Sequence, residues 1–146
     1  MERIEINTGL KSFLCIDRIS EISDKHIKGA YTIKSENSFT AMESLAQLGA
    51  LHVRYLTDFE RFVFLLKINS FSLPDFPNDT FNITGNLIAN SRGAYSYKLK
   101  AEDKNRAFFG EMVFGVTDFD SIEKKENSNS HYKKVFQCLT KNSKES

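Results

Sequence analysis

At 146 residues the chain suits one domain with a core of its own and is too short for two. Its 20 Lys and Arg against 19 Asp and Glu leave a formal net charge of +1, so no electrostatic footprint points to nucleic acid, and no window reaches the run of about 18 apolar residues that a membrane span needs. Cys15 and Cys138 lie far apart without metal-ligand neighbours at useful spacing. They read as reduced thiols and, with no basic-then-apolar leader at the N-terminus, the expectation is a cytoplasmic protein with no metal and no cofactor.

In chain order, Ser12 to Ile22 mixes Phe13, Leu14, Ile16, Ile19 and Ile22 with charges, and a Ser-Asp-Lys turn at 23–25 separates it from His26 to Ile33. Together they predict a first β-hairpin. After the short polar link Lys34 to Ser38 comes Thr40 to Tyr55, an apolar segment too long for a strand and right for a helix. From Arg61 the composition turns β-branched and aromatic, and four strands are predicted at Arg61–Phe71, Thr80–Ala89, Ala94–Ala101 and Ala107–Val116, with polar turns between them. Phe81, Ile83, Gly85 and Leu87 alternate with Asn82, Thr84, Asn86 and Ile88, so this strand has one dry face and one wetter one.

Two strands, a long helix and four strands give an α+β domain with one helix against a curved antiparallel sheet, expected over residues 1–118. The helix is apolar nearly all round, so either the sheet curls around it or a second subunit covers the rest. Residues 119–146 are polar and are expected to form a mobile tail with a short helix near 131–140, where Tyr132, Val135, Phe136 and Leu139 interrupt the polar run.

The central helix carries one carboxylate. Glu43 is costly to bury without a partner or a task; Gln47 follows at i+4 and Arg54 at eleven positions, all three within about 20 degrees of one line down the helix. Thr40-x-x-Glu43 also has the form of a capping box, in which Glu43 would reach back to the Thr40 amide. His52, nine positions on, falls on the opposite side of the helix and cannot meet Glu43. Arg92-Gly93 reads as a turn device before a Tyr-rich strand.

Several of these stretches carry a resemblance. Phe13-Leu14-Cys15-Ile16-Asp17-Arg18-Ile19, Glu43-Ser44-Leu45-Ala46-Gln47, Pro77-Asn78-Asp79 and Ser91-Arg92-Gly93 fall in the order found in the 3-hydroxyacyl-acyl carrier protein dehydratases. The chain from about Lys11 to Asp118 resembles that family's hot dog fold, including a shortened-loop subgroup found with aryl polyene and related specialised lipid pathways. The resemblance implies a homodimer or heterodimer of hot dog chains with no nucleic acid or membrane partner. It also implies a pocket for an acyl thioester, on acyl carrier protein or CoA, beside a catalytic Glu43, with Gln47, Phe39, Met42 and Arg92 toward the substrate.

One departure is central. The family's loop before the helix carries a catalytic His, whereas Lys34-Ser35-Glu36-Asn37-Ser38-Phe39 stands in its place here. The expected function is therefore an acyl-thioester-binding, dehydratase-like subunit or degenerate member in fatty acid or specialised lipid biosynthesis. The alternatives are a thioesterase with Glu43 as general base, and a non-catalytic lipid or carrier-protein binding module.

Overall fold

The computed structural model describes residues 6–7, 11–12, 15–33, 38–72, 79–104, 106–119 and 121–144. Two short strands, β1 (Ile6–Asn7) and β2 (Lys11–Ser12), pair with each other as a separate ribbon. The main sheet contains β3 (Arg18–Ile22), β4 (His26–Ile33), β5 (Phe62–Ser72), β6 (Asp79–Ser91), β7 (Ala94–Glu102) and β8 (Ala107–Thr117). Between β4 and β5 runs helix α1 (Ser38–Leu56), and after β8 comes helix α2 (Ile122–Lys144). Phe13, Leu14, the link 34–37 and Pro77-Asn78 lie outside the described residues.

The sheet order is β3-β4-β6-β7-β8-β5, antiparallel throughout. The hairpin β3-β4 therefore sits at one edge and β5, the strand that leaves the helix, at the other. The predicted alternation along β6 holds: Phe81, Ile83 and Gly85 are buried while Asn82 and Asn86 face out. With Ile27 of β4, Tyr97 and Leu99 of β7, and Phe108, Met112 and Phe114 of β8, they form one apolar face, and α1 crosses it with Ala41, Leu45, Leu48 and Val53 turned inward. Each large side chain buried in this layer contributes about 1.5–3 kcal/mol. Gly49 lets the helix nest closely, since a Cβ there would lie 2.5 Å from the Phe114 ring.

The last turn of α1 closes with the Phe59 amide donating to the Arg54 carbonyl (2.7 Å) and the Asp58 amide to that of Tyr55 (3.2 Å), with Asp58 at φ 53. This is the Schellman arrangement with an Asp where Gly is commonest. It turns Phe59 inward, where its ring meets that of Phe136 on α2.

The C-terminal segment corrects the expectation of a mobile tail with helix confined to 131–140, because α2 is helical over Ile122–Lys144. Tyr132, Val135 and Leu139, at i, i+3 and i+7, are buried against the core and make the packing face. Ahead of them Lys125 pairs with Glu60 at 2.7 Å, and the Asn129 side-chain amide donates to the Phe59 carbonyl at 3.0 Å. α2 runs beside β3 and covers the flank of α1 that the sheet leaves open. No helix among the described residues is long and apolar enough to cross a membrane.

Candidate functional site

A cavity of about 190 Å³ lies along α1 on the side turned away from the middle of the sheet. Its helix wall is Glu43, Ala46, Gln47, Ala50, Leu51 and Arg54; Ile16, Val63, Phe64, Leu65 and Phe114 close it with apolar surface, and Tyr132 and Val135 of α2 form the remaining side. The three polar residues that the sequence places on one helix line thus share one cavity.

Glu43 does not cap the helix. α1 begins at Ser38, so Thr40 is already inside its first turn, and the Thr40-x-x-Glu43 spacing falls three residues too late for a capping box. Glu43 Oε1 instead accepts a hydrogen bond from Gln47 Nε2 at 3.2 Å, and Gln47 Oε1 accepts one from the Cys15 amide at 2.7 Å. The Cys15 amide can only donate, so it fixes which end of the Gln47 side chain is oxygen and turns the NH₂ group toward Glu43. One carboxylate oxygen is held while the side chain as a whole stays half-buried on the cavity wall. Burial pushes the Cys15 thiol up to about 11; a Tyr31 hydrogen bond opposes this, while the charges of Glu43 and Asp17 add to it. Cys15 is accordingly a protonated packing residue at neutral pH.

At the other end of the cavity the Arg54 guanidinium lies 3.8 Å from the centre of the Tyr132 ring. Burial lowers its pKa, with Tyr132 as the only opposing influence. A second, larger cavity of about 820 Å³ opens from this point and is lined by Arg54, Val63 and Tyr132 together with Phe62, Thr117, Asp118, Phe119, Lys124, Asn127, Ser128 and His131.

The other candidates scatter. Arg92 is exposed in the two-residue β6–β7 turn, where φ values of 42 for Arg92 and 83 for Gly93 mark a type I′ hairpin. That matches the turn reading and places Arg92 outside both cavities. Met42 packs against the core and lines neither cavity. The Phe39 side chain lies outside the described residues.

No His lines the Glu43 cavity among the described residues. His52 is fully buried on the opposite side of α1, with Nε2 2.7 Å from the Ser23 carbonyl and Nδ1 hydrogen-bonded to the Tyr97 hydroxyl. The carbonyl requires Nε2–H, so Nδ1 accepts from Tyr97 and the imidazole is neutral. Burial, the largest influence, lowers the His52 pKa. No group of three or more His, Cys, Asp or Glu side chains is arranged to hold a metal ion among the described residues.

Sequence reasoning missed Tyr132 and Val135 as cavity walls. Their helical spacing with Phe136 and Leu139 was the available signal, masked by the polar residues around it.

No protein-family model and no curated protein matches the sequence. Solved structures do match the fold. A thioesterase mutant from Pseudomonas aeruginosa is 13% identical over 73% of this chain and 84% of its own, with a TM-score of 0.62. A thioesterase from Haemophilus influenzae is 12% identical over 71% and 80%, with a TM-score of 0.59. A hypothetical thioesterase from Streptococcus pneumoniae, solved with coenzyme A, is 16% identical over 71% and 90%, with a TM-score of 0.60. At these identities the likeness is one of architecture: the chain has the hot dog-like α+β fold of these thioesterases.

Proposed function

We propose that the protein hydrolyses acyl thioesters, with Glu43 as general base. The observation that carries this reading is the ordered pair on the cavity wall, in which Gln47 holds one oxygen of Glu43 and leaves the other for a water molecule. A thioester carbonyl placed beside Glu43 is attacked by that water while the carboxylate takes its proton. The tetrahedral intermediate then collapses with cleavage of the C–S bond, and the proton passes from Glu43 to the departing thiolate. The products are a carboxylic acid and a free thiol.

Gln47 acts here as a positioning residue, since the Cys15 amide holds one end of its amide and the other end holds Glu43. With α1 starting at Ser38, the Met42 amide falls inside the helical hydrogen-bond ladder and is not free to polarise the carbonyl. The unsatisfied amides are those of the first turn. Thioesterases among the fold relatives, one of them solved with coenzyme A, support this chemistry and favour CoA as a carrier.

The dehydratase-like reading needs a second acid–base group at the cavity, which another chain would have to bring. β5 gives a specific place for such a chain. Among the described residues it is an edge strand with one free side, and Phe62, Phe64, Leu65, Leu66 and Ile68 on it are 37–58% exposed. We infer that two hot dog chains pair through β5.

Hydrolysis is tested by offering the purified full-length chain acyl-CoA thioesters of short to long chain and measuring thiol release. Release above background that falls about 10²–10⁴-fold in Glu43→Gln is expected. No release at any chain length would overturn the proposal.

A further inference from the structure

The two cavities meet at a cation, Arg54, that has no counterion among the described residues. Among the described residues the Arg54 guanidinium makes no ion pair and no side-chain hydrogen bond; its one partner is the face of Tyr132. Beside it on α2, His131 lines the larger cavity with a buried Nε2 that has no hydrogen-bond partner. A desolvated charge without a partner is expensive unless a ligand supplies one. Asp118, the acid on this cavity's wall, is paired with Arg61 at 3.5 Å. One fixed positive charge and one orphaned imidazole nitrogen therefore converge on space whose one acid among the described residues, Asp118, is already paired.

The length of the groove indicates which anion. Glu43 and Arg54 are eleven residues apart on one line of α1, a separation of about 16 Å at 1.5 Å per residue. In a phosphopantetheine arm, about thirteen bonds separate the thioester sulfur from the phosphorus, and at the advance per bond of an extended chain they span about 15 Å. The larger cavity, on the Arg54 side, has room and polar walls for whatever follows the phosphate.

We infer that the phosphate of a phosphopantetheine arm seats between Arg54 and His131, with the arm lying along α1 toward Glu43. The inference rests on the thioester reading above and adds a task for α2. That helix supplies His131 and the Tyr132 ring under the guanidinium, so it is part of the binding wall for the carrier. His131 donates through Nε2–H, and the guanidinium supplies the charge.

The test measures binding by the full-length protein of two non-hydrolysable thioethers, S-hexyl-phosphopantetheine and S-hexyl-pantetheine, which differ only in the phosphate. The phosphorylated ligand should bind at least about tenfold tighter, the size of one charge-assisted contact. Arg54→Gln should bring the ratio of the two Kd values to about one by weakening the phosphorylated ligand far more than S-hexyl-pantetheine, with far-UV circular dichroism reporting that the variant is folded. His131→Gln, at a half-exposed position, should reduce the advantage by a smaller factor.

Equal binding of the two ligands by the wild type, or an equal loss for both in Arg54→Gln, would overturn the phosphate site and leave the thioester reading standing. Binding of neither would overturn both. A pantetheine thioether ending in a carboxylate, if it alone gained from Arg54, would assign the cation to the far end of the acyl chain and so overturn the inference.

Discussion

Glu43 is placed by two hydrogen bonds that begin at a main-chain amide, and this short relay of Cys15, Gln47 and Glu43 is where the geometry proposed for catalysis is most exposed to a single change. Gln47→Ala should keep the carboxylate but release its orientation, lowering kcat about tenfold or more with KM little altered; steady-state kinetics on the best acyl-CoA would show a rise in KM alone if Gln47 were only a substrate contact. The Glu43, Gln47 and Arg54 line was legible in the sequence because helical spacing alone fixes it. The Cys15 contact, 32 residues away, was not, since only the fold brings the first strand's approach beside the helix.

His52 shows the opposite use of a polar side chain, buried and satisfied on the far side of α1. Its pKa is lowered in the folded state by burial, so stability linked to it is complete above the ordinary value of 6.5 and is lost as pH falls below that value and the unfolded chain gains a proton that the folded one refuses. Burial also lowers the pKa of His131, which adds to the same trend. Urea midpoints should therefore fall on acidification below pH 6.5 and more shallowly in His52→Gln; a slope unchanged by that substitution would remove His52 as the cause.

At the scale of elements, α1 and the five strands that flank it were readable because their patterns are regular, with period two in β6 and a long, largely apolar run in α1. α2 was not, because its first two turns carry Glu123, Lys124, Lys125, Glu126 and Asn127, and only about one residue in three of its second half is apolar. Polar composition and the absence of a fold context made a mobile tail the reasonable expectation. In the structure, the contacts of Tyr132, Val135 and Leu139 with the core stabilise the helix. Leu139, 2% exposed, should cost about 2–5 kcal/mol when replaced by alanine. Chemical denaturation would check this, and a change under about 0.5 kcal/mol, the range of ordinary surface substitutions, would mean that α2 is loosely held.

Across the whole molecule, the strand order puts the hairpin β3-β4 and the lone strand β5 at opposite edges, with α2 beside the first and nothing among the described residues beside the second. That order was not legible in the sequence, since local periodicity carries no information about which strands become neighbours. The free edge of β5 predicts a dimer by light scattering, and Leu66→Lys combined with Ile68→Lys should shift it toward monomer; a wild-type monomer at high concentration would remove the pairing from the account. The proposed hydrolysis and the dehydration that the sequence resemblance implies leave different products. Incubating the wild-type protein and Glu43→Gln with a 3-hydroxyacyl-CoA, while following free thiol and the conjugated enoyl thioester together, separates them in one measurement. Thiol release that depends on Glu43, with no enoyl product, is the predicted result, and enoyl thioester formed without thiol release would contradict it.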